Sequence, residues 1–136
     1  MSVYLVDTNV ISDIVADDPR VRAKLAAAAA PDRVAVPTIV VGEIRFGILK
    51  MPDGAKRRQL EAKTLSVLRA LAIEPVPVEA ADHYARVKMY RRSAGTSMDE
   101  NDLWIAATAL ALGAVVVTRD KDYTGTPNLL IEDWTK

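Results

Sequence analysis

Short aliphatic runs, each followed by a stretch of helical periodicity, constrain the fold more than any other feature of this chain. Tyr4-Leu5-Val6, Arg33-Val34-Ala35-Val36 and Ala114-Val115-Val116-Val117-Thr118 are near-continuous apolar or β-branched segments with no polar alternation. A strand buried on both faces has this pattern. Pro75-Val76-Pro77-Val78 reads as a short edge strand, because its prolines cannot donate to a ladder. A last aliphatic run, Leu129-Leu130-Ile131, follows a polar loop from 119 to 127. Strands alternating with helices imply a parallel sheet covered on both faces. The expectation is one α/β domain of three layers over residues 1–136, with a mostly parallel central sheet of about five strands.

The intervening segments carry helix signals. A short helix is expected from about residue 10 to 16, and Asp18-Pro19 restarts the chain with an N-cap acid and a proline at the first helical position. That helix runs through Val21, Leu25 and the alanines 26–30 to Pro31. Thr38 is placed to cap the next helix, in which Val40, Val41, Ile44 and Ile48 share one face. Met51-Pro52-Asp53-Gly54 is a turn. Leu60, Val67, Leu68 and Leu71 then mark a long amphipathic helix, and another covers about 79–93. Ser97-Met98-Asp99-Glu100 has the form of a capping box opening a helix that carries Leu103, Ile105, Ala106, Ala109 and Leu110 and ends at Gly113.

A chain of 136 residues buries roughly 68% of its unfolded surface, enough for a core without cross-links. Cysteine is absent, so no disulfide or thiolate metal site exists. No export-type apolar region forms before Asp7, and no apolar run approaches the ~20 residues of a membrane helix. A cytoplasmic protein without membrane attachment is expected. Lys plus Arg equals Asp plus Glu, at 18 each, so the chain lacks the basic footprint of a protein that grips nucleic acid by charge alone.

Acids at strand ends point to the chemistry. Ligands of open parallel sheets bind beyond the carboxyl ends of the strands. Asp7 ends the first run and Asp120 follows the fourth. Glu43 sits among Val40, Val41, Ile44 and Phe46, where a charge is costly unless paired or solvated, and periodicity also allows it on a polar stripe with Arg45 and Lys50. Asp102 lies in the first turn of its helix, a position acids favour in any case, and Asp99 and Glu100 compete for that role. If the four converged, each like-charge pair ~4 Å apart would cost about 4 kcal/mol at an effective dielectric near 20. Such a cluster needs a cation. All-oxygen ligands select hard ions, Mg²⁺ or Mn²⁺ ahead of Ca²⁺, and Mg²⁺ held by carboxylates suits phosphodiester hydrolysis.

Leu5-Val6-Asp7-Thr8-Asn9, Glu43 within a helix, Asp102-Leu103-Trp104-Ile105-Ala106-Ala107-Thr108-Ala109 and Val117-Thr118-Arg119-Asp120-Lys121-Asp122-Tyr123 together resemble PIN-domain nucleases, and most of all the VapC toxins of toxin–antitoxin pairs. The resemblance spans essentially the whole chain. It implies a PIN-like fold in which the first and fourth strands are neighbours. It also implies a Mg²⁺-dependent endoribonuclease with Asp7, Glu43 and Asp102 on the metal and Asp120 as a more variable fourth acid. Thr8, Asn9 and Thr118 match polar positions around that site. RNA as substrate, a VapB-like antitoxin as partner and a homodimer follow from the same resemblance. In that family the antitoxin docks in an apolar groove near the third and fourth helices and reaches toward the acids. Tyr123 stands where phenylalanine is usual.

Other residues invite weaker readings. Lys88, Arg91 and Arg92 are candidates for RNA phosphate contacts, because a neutral protein must concentrate charge near its site. Lys56-Arg57-Arg58 and the lone His83 read as surface residues, and Trp104 as core. Trp134 is expected to cover an edge or an interface, and Phe46, Ile48, Leu49 and Met51 to extend an apolar stripe. Asp99 is expected to serve the helix start and not a metal. A non-catalytic PIN-like binding module is the alternative function. An aspartyl phosphatase using Asp7 would want Asp-x-Asp at the first strand, where Asn9 stands instead.

Overall fold

The structure, a computed structural model, describes all residues 1–136. The elements run β1 (Val3–Val6), α1 (Thr8–Val15), α2 (Pro19–Ala29), β2 (Arg33–Pro37), α3 (Thr38–Leu49), α4 (Ala55–Arg69), β3 (Ala72–Glu74), α5 (Ala80–Ser93), α6 (Glu100–Leu112), β4 (Val115–Val117) and β5 (Leu130–Glu132). The five strands form one sheet in the order β3-β2-β1-β4-β5, and every pairing is parallel. Right-handed crossovers place α1 to α4 on one face and α5 and α6 on the other. No helix is long and apolar enough to cross a membrane.

The core follows from the continuous runs. Leu5, Val6, Ala35, Val36, Val116 and Val117 are fully buried in the three central strands. Val10, Ile11, Ile14 and Val40 close one face, and Ile105, Ala106 and Ala109 the other. Small residues on the buried side of α6 let it lie close to the sheet. The edge strands are different: Ile73 on β3 and Leu130 and Ile131 on β5 are exposed. Trp134 is buried beside Tyr4 of the central strand, ring centroids 5.6 Å apart, so it packs onto the middle of the sheet and not over an edge.

Helix boundaries mostly follow their signals. Asp18 accepts from the backbone N–H groups of Arg20 and Val21, with Pro19 opening α2. Gly113 ends α6 at φ +65°, a conformation that disfavours residues with a Cβ. Three expectations require correction. The edge strand is Ala72–Glu74 and not the proline-rich segment after it, because pairing with β2 needs the N–H groups that Pro75 and Pro77 lack. Thr38 does not cap α3; its hydroxyl donates to the Glu74 carbonyl at 3.3 Å and ties the helix start to the edge strand. Ser97 does not cap α6. Asp99 does, accepting from the Asn101 N–H at 3.1 Å, which is the role expected for Asp99 itself.

Candidate functional site

The sheet changes direction between β1 and β4. From β1 the chain proceeds outward through β2 and β3; from β4 it proceeds to β5 on the other side. Such a switch point opens a crevice at the strands' carboxyl ends. The register aligns Val6 with Val117, and the Asp7 N–H donates to the Val117 carbonyl at 3.0 Å. Asp7 and Thr118 therefore leave the sheet side by side.

Asp7 is 5% exposed and is held by three donors. Its Oδ1 accepts from the Thr8 N–H at 2.9 Å. Its Oδ2 accepts from the Thr118 hydroxyl at 2.9 Å and from the Asn9 amide at 3.3 Å. The Thr118 hydroxyl also accepts from Asn9 at 3.1 Å and from the Asp120 N–H at 3.0 Å. One threonine thus joins the end of β1 to the loop after β4. Asn9 in turn accepts from the Arg119 N–H at 3.0 Å.

The other acids come from helices on both faces. Glu43, half-buried on α3, accepts from the Thr8 hydroxyl at 3.3 Å. Asp102, half-buried in the first turn of α6, accepts through Oδ1 from the Tyr123 hydroxyl at 3.0 Å. Its other oxygen has no partner within the chain. Asp120 caps a 3-10 turn, Lys121–Tyr123, by accepting from the Asp122 N–H at 2.9 Å. That turn swings Asp122 toward α6. Donor oxygens of Asp102, Asp120 and Asp122 lie within 4.8 Å of one another. Asp122 lies within the Thr118–Tyr123 block of the sequence, which gives it no role; the structure brings it into the grouping. Asp7 and Glu43 lie just outside this tightest grouping but border it electrostatically.

That proximity shows in their protonation. Burial, chiefly, pushes the Asp7 carboxyl above its ordinary value, with the charge of Asp120 adding to it against the hydrogen bonds from Thr8 and Thr118. Glu43 is raised by burial and by Asp7, against hydrogen bonding from Asn101 and Thr8. Asp102 is pushed up to about 6, by burial first and then by Asp7, Asp120 and Asp99, with Tyr123 opposing. Tyr123 is fully buried and its hydroxyl is held protonated, so it donates to the ionised Asp102 carboxylate, which can only accept. None of Asp7, Glu43, Asp102, Asp120 and Asp122 forms an ion pair with a lysine or arginine of the chain. A basin of unpaired carboxylates with only oxygen donors fits a hard divalent cation.

The remaining residues divide. Lys88 is engaged by Glu100 at 3.0 Å, and Arg92 is exposed. Arg91 is only 7% exposed, and its Nη2 donates to the carbonyls of Asp122 and Thr124 and to the Thr126 hydroxyl at 2.7, 3.3 and 2.8 Å. It is first a clamp on the loop after β4. Trp104 is half-buried and stacks on Tyr84, centroids 4.0 Å apart. Phe46 and Leu49 are exposed, whereas Ile48 is buried. Beside the basin, α1, α3 and α4 enclose a groove of about 540 Å³ lined by Ile11, Val15, Ile44, Ile48 and Leu60, with Thr8 and Glu43 at its inner end.

Fold and site together define a doubly wound α/β domain with an acid-lined crevice at its switch point. A family model described as PIN domain matches residues 4–128. The chain is 35% identical over 122 residues to the VapC ribonuclease Y4jK of Sinorhizobium fredii, covering 85% of this chain and 86% of the relative. It is 35% identical over 96 residues to ribonuclease VapC5 of Mycobacterium tuberculosis, covering 68% of each. Among solved structures, VapBC2 from Rickettsia felis bound to a DNA fragment from their promoter superposes with a TM-score of 0.88 at 25% identity, over 96% of this chain and 97% of the other. The chain belongs to the PIN domain family, among its VapC proteins.

Proposed function

We propose that this chain is an endoribonuclease that depends on Mg²⁺ or Mn²⁺ and is the toxin of a toxin–antitoxin pair, acting in the cytoplasm. The observation that carries the reading is the carboxylate basin at the β1/β4 switch point, whose acids have no basic partner in the chain. Asp7, Glu43, Asp102 and Asp120 would hold the ion, and Asp122 joins them. A divalent cation there supplies the positive charge that a phosphodiester needs to approach these acids and to be attacked by water.

The chain's own part is positioning. Thr8, Asn9 and Thr118 hold the Asp7 carboxylate in one orientation. Tyr123 occupies one oxygen of Asp102 and leaves the other free. Thr8 restrains Glu43. Such outer hydrogen bonds fix the geometry of metal-ligating carboxylates. Without a cation the same acids repel the RNA backbone.

The groove beside the basin suits the partner. An antitoxin segment of VapB type would lay apolar side chains on Ile44, Ile48 and Leu60 and reach Glu43 at the inner end. Relatives solved as VapBC assemblies support this reading. Homodimerisation belongs to the same proposal.

The test is cleavage of RNA by the purified protein with Mg²⁺ or Mn²⁺. Asp7→Asn should lose more than the 10–100-fold typical of outer-sphere changes while remaining folded. Excess chelator should abolish activity. Equal cleavage by wild type and Asp7→Asn would overturn these roles.

A further inference from the structure

A second cleft lies on the other side of the first turn of α6. It measures about 390 Å³ and is walled by the last turns of α5, by the loop at 95–98 and by Leu103, the neighbour of Asp102. Lys88, Arg91 and Arg92 face it together, with Glu100 as its one acid. Glu100 is taken up by Lys88 at 3.0 Å and by the Tyr84 hydroxyl at 2.6 Å. Arg92 forms no ion pair.

Arg91 is the informative residue. Although 93% of it is buried, only Nη2 is hydrogen-bonded within the chain. Its Nε is sealed from solvent without any partner, and its Nη1 makes no hydrogen bond either. Buried polar groups are satisfied almost without exception, and one that is not points to a missing water or ligand. A guanidinium held rigidly by Nη2, with Nη1 unspent beside an exposed arginine, is built for an oxyanion. The nitrogen that is held donates to the carbonyl of Asp122, a member of the acidic grouping. Cleft and basin therefore share a wall.

We infer that this cleft binds a backbone phosphate of the RNA strand next to the one at the basin, through Nη1 of Arg91 and through Arg92, with Lys88 at its rim. The inference rests on the ribonuclease reading for its ligand. It explains how a chain without net charge holds a polyanion. The acids repel the strand at one point, and the arginines anchor it one step away.

Binding in excess chelator tests it without cleavage. A labelled, unstructured single-stranded RNA is titrated with the full-length protein by fluorescence anisotropy at several salt concentrations. Arg92→Glu should weaken binding roughly tenfold and flatten the slope of log K against log salt by about 0.7 for each phosphate no longer neutralised. Arg69→Glu, on α4 and outside the cleft, should leave both unchanged. Arg92 is exposed, so folding is preserved and is checked by the urea midpoint. Unlabelled RNA should displace the probe, and inorganic phosphate at the same concentration should not; displacement by free phosphate would make this a small-anion site and overturn the proposal. Wild-type protein that fails to bind RNA, or an Arg92→Glu variant with the wild-type constant and slope, also overturns it. Cleavage that survives Asp7→Asn would instead sink the reading of the basin and leave the Arg92 result standing.

Discussion

The hydroxyl of Tyr123 donates to Oδ1 of Asp102 at 3.0 Å, from a ring that is fully buried. The bond joins the turn after β4 to the first turn of α6 and leaves Asp102 one oxygen for a ligand. Tyr123→Phe keeps the ring and removes only this bond. It should lower Mn²⁺ affinity about 10–100-fold with the fold intact, as measured by isothermal titration. Unchanged affinity would show that Asp102 is oriented without Tyr123.

The basin also sets a pH dependence for the metal-free protein. Asp7, Glu43 and Asp102 are all raised above their ordinary values in the folded state, Asp102 to about 6. The folded state therefore binds more protons than the unfolded one between about pH 4 and 6, and stability falls as pH rises through that window. Asp102 alone accounts for about 1–2 kcal/mol after allowance for solvent. In chelator, Tm should be several degrees higher near pH 5 than near pH 7.5. Asp17, Asp18, Glu100 and Asp133 are shifted downward and act oppositely, but their contribution is lost only below about pH 4. Saturating Mn²⁺ should stabilise the protein far more at pH 7.5 than at pH 5. A chelated protein that melts lower at pH 5 would contradict the account.

Thr118→Val tests the link between β1 and β4. Valine fills the same space but takes a donor from Asp7 and an acceptor from Asn9 and from the Asp120 N–H. Stranding these groups should cost about 1–3 kcal/mol in urea unfolding, whereas Thr118→Ser should cost less. Equal losses for both variants would assign the effect to packing.

The groove can be closed without touching the acids. A Cβ at Gly47 would meet nothing within 4 Å, and Gly47 lines the groove. Gly47→Phe should therefore fold, keep RNA cleavage and resist inhibition by the cognate antitoxin at least tenfold, read as the shift in an inhibition titration. Normal inhibition would move the antitoxin to another surface.

Much of the fold and site is legible in the sequence, for physical reasons. Asp7 and Asp120 stand out because a continuous apolar run followed by an acid marks the end of a buried strand, where open parallel sheets bind ligands. Asp122 does not, because an exposed acid in a polar loop carries no such mark. Only the 3-10 turn closed by Asp120 brings it to Asp102. The place of β3 is obscured because proline-flanked valines look strand-like singly, while a ladder with β2 demands N–H donors. Arg91 looks like a surface cation because helix periodicity cannot tell that a loop over thirty residues onward folds back on it.

Local chemistry in the sequence determined which segments become strands and helices, where caps and glycine stops fall, and that acids sit at strand ends. Tertiary structure alone decided that Val6 lies level with Val117, that acids from α3 and α6 meet from opposite faces, and that a buried arginine ties the basin to a second cleft. Strand register and crossover handedness are properties of the whole sheet, so no single stretch of the chain encodes them.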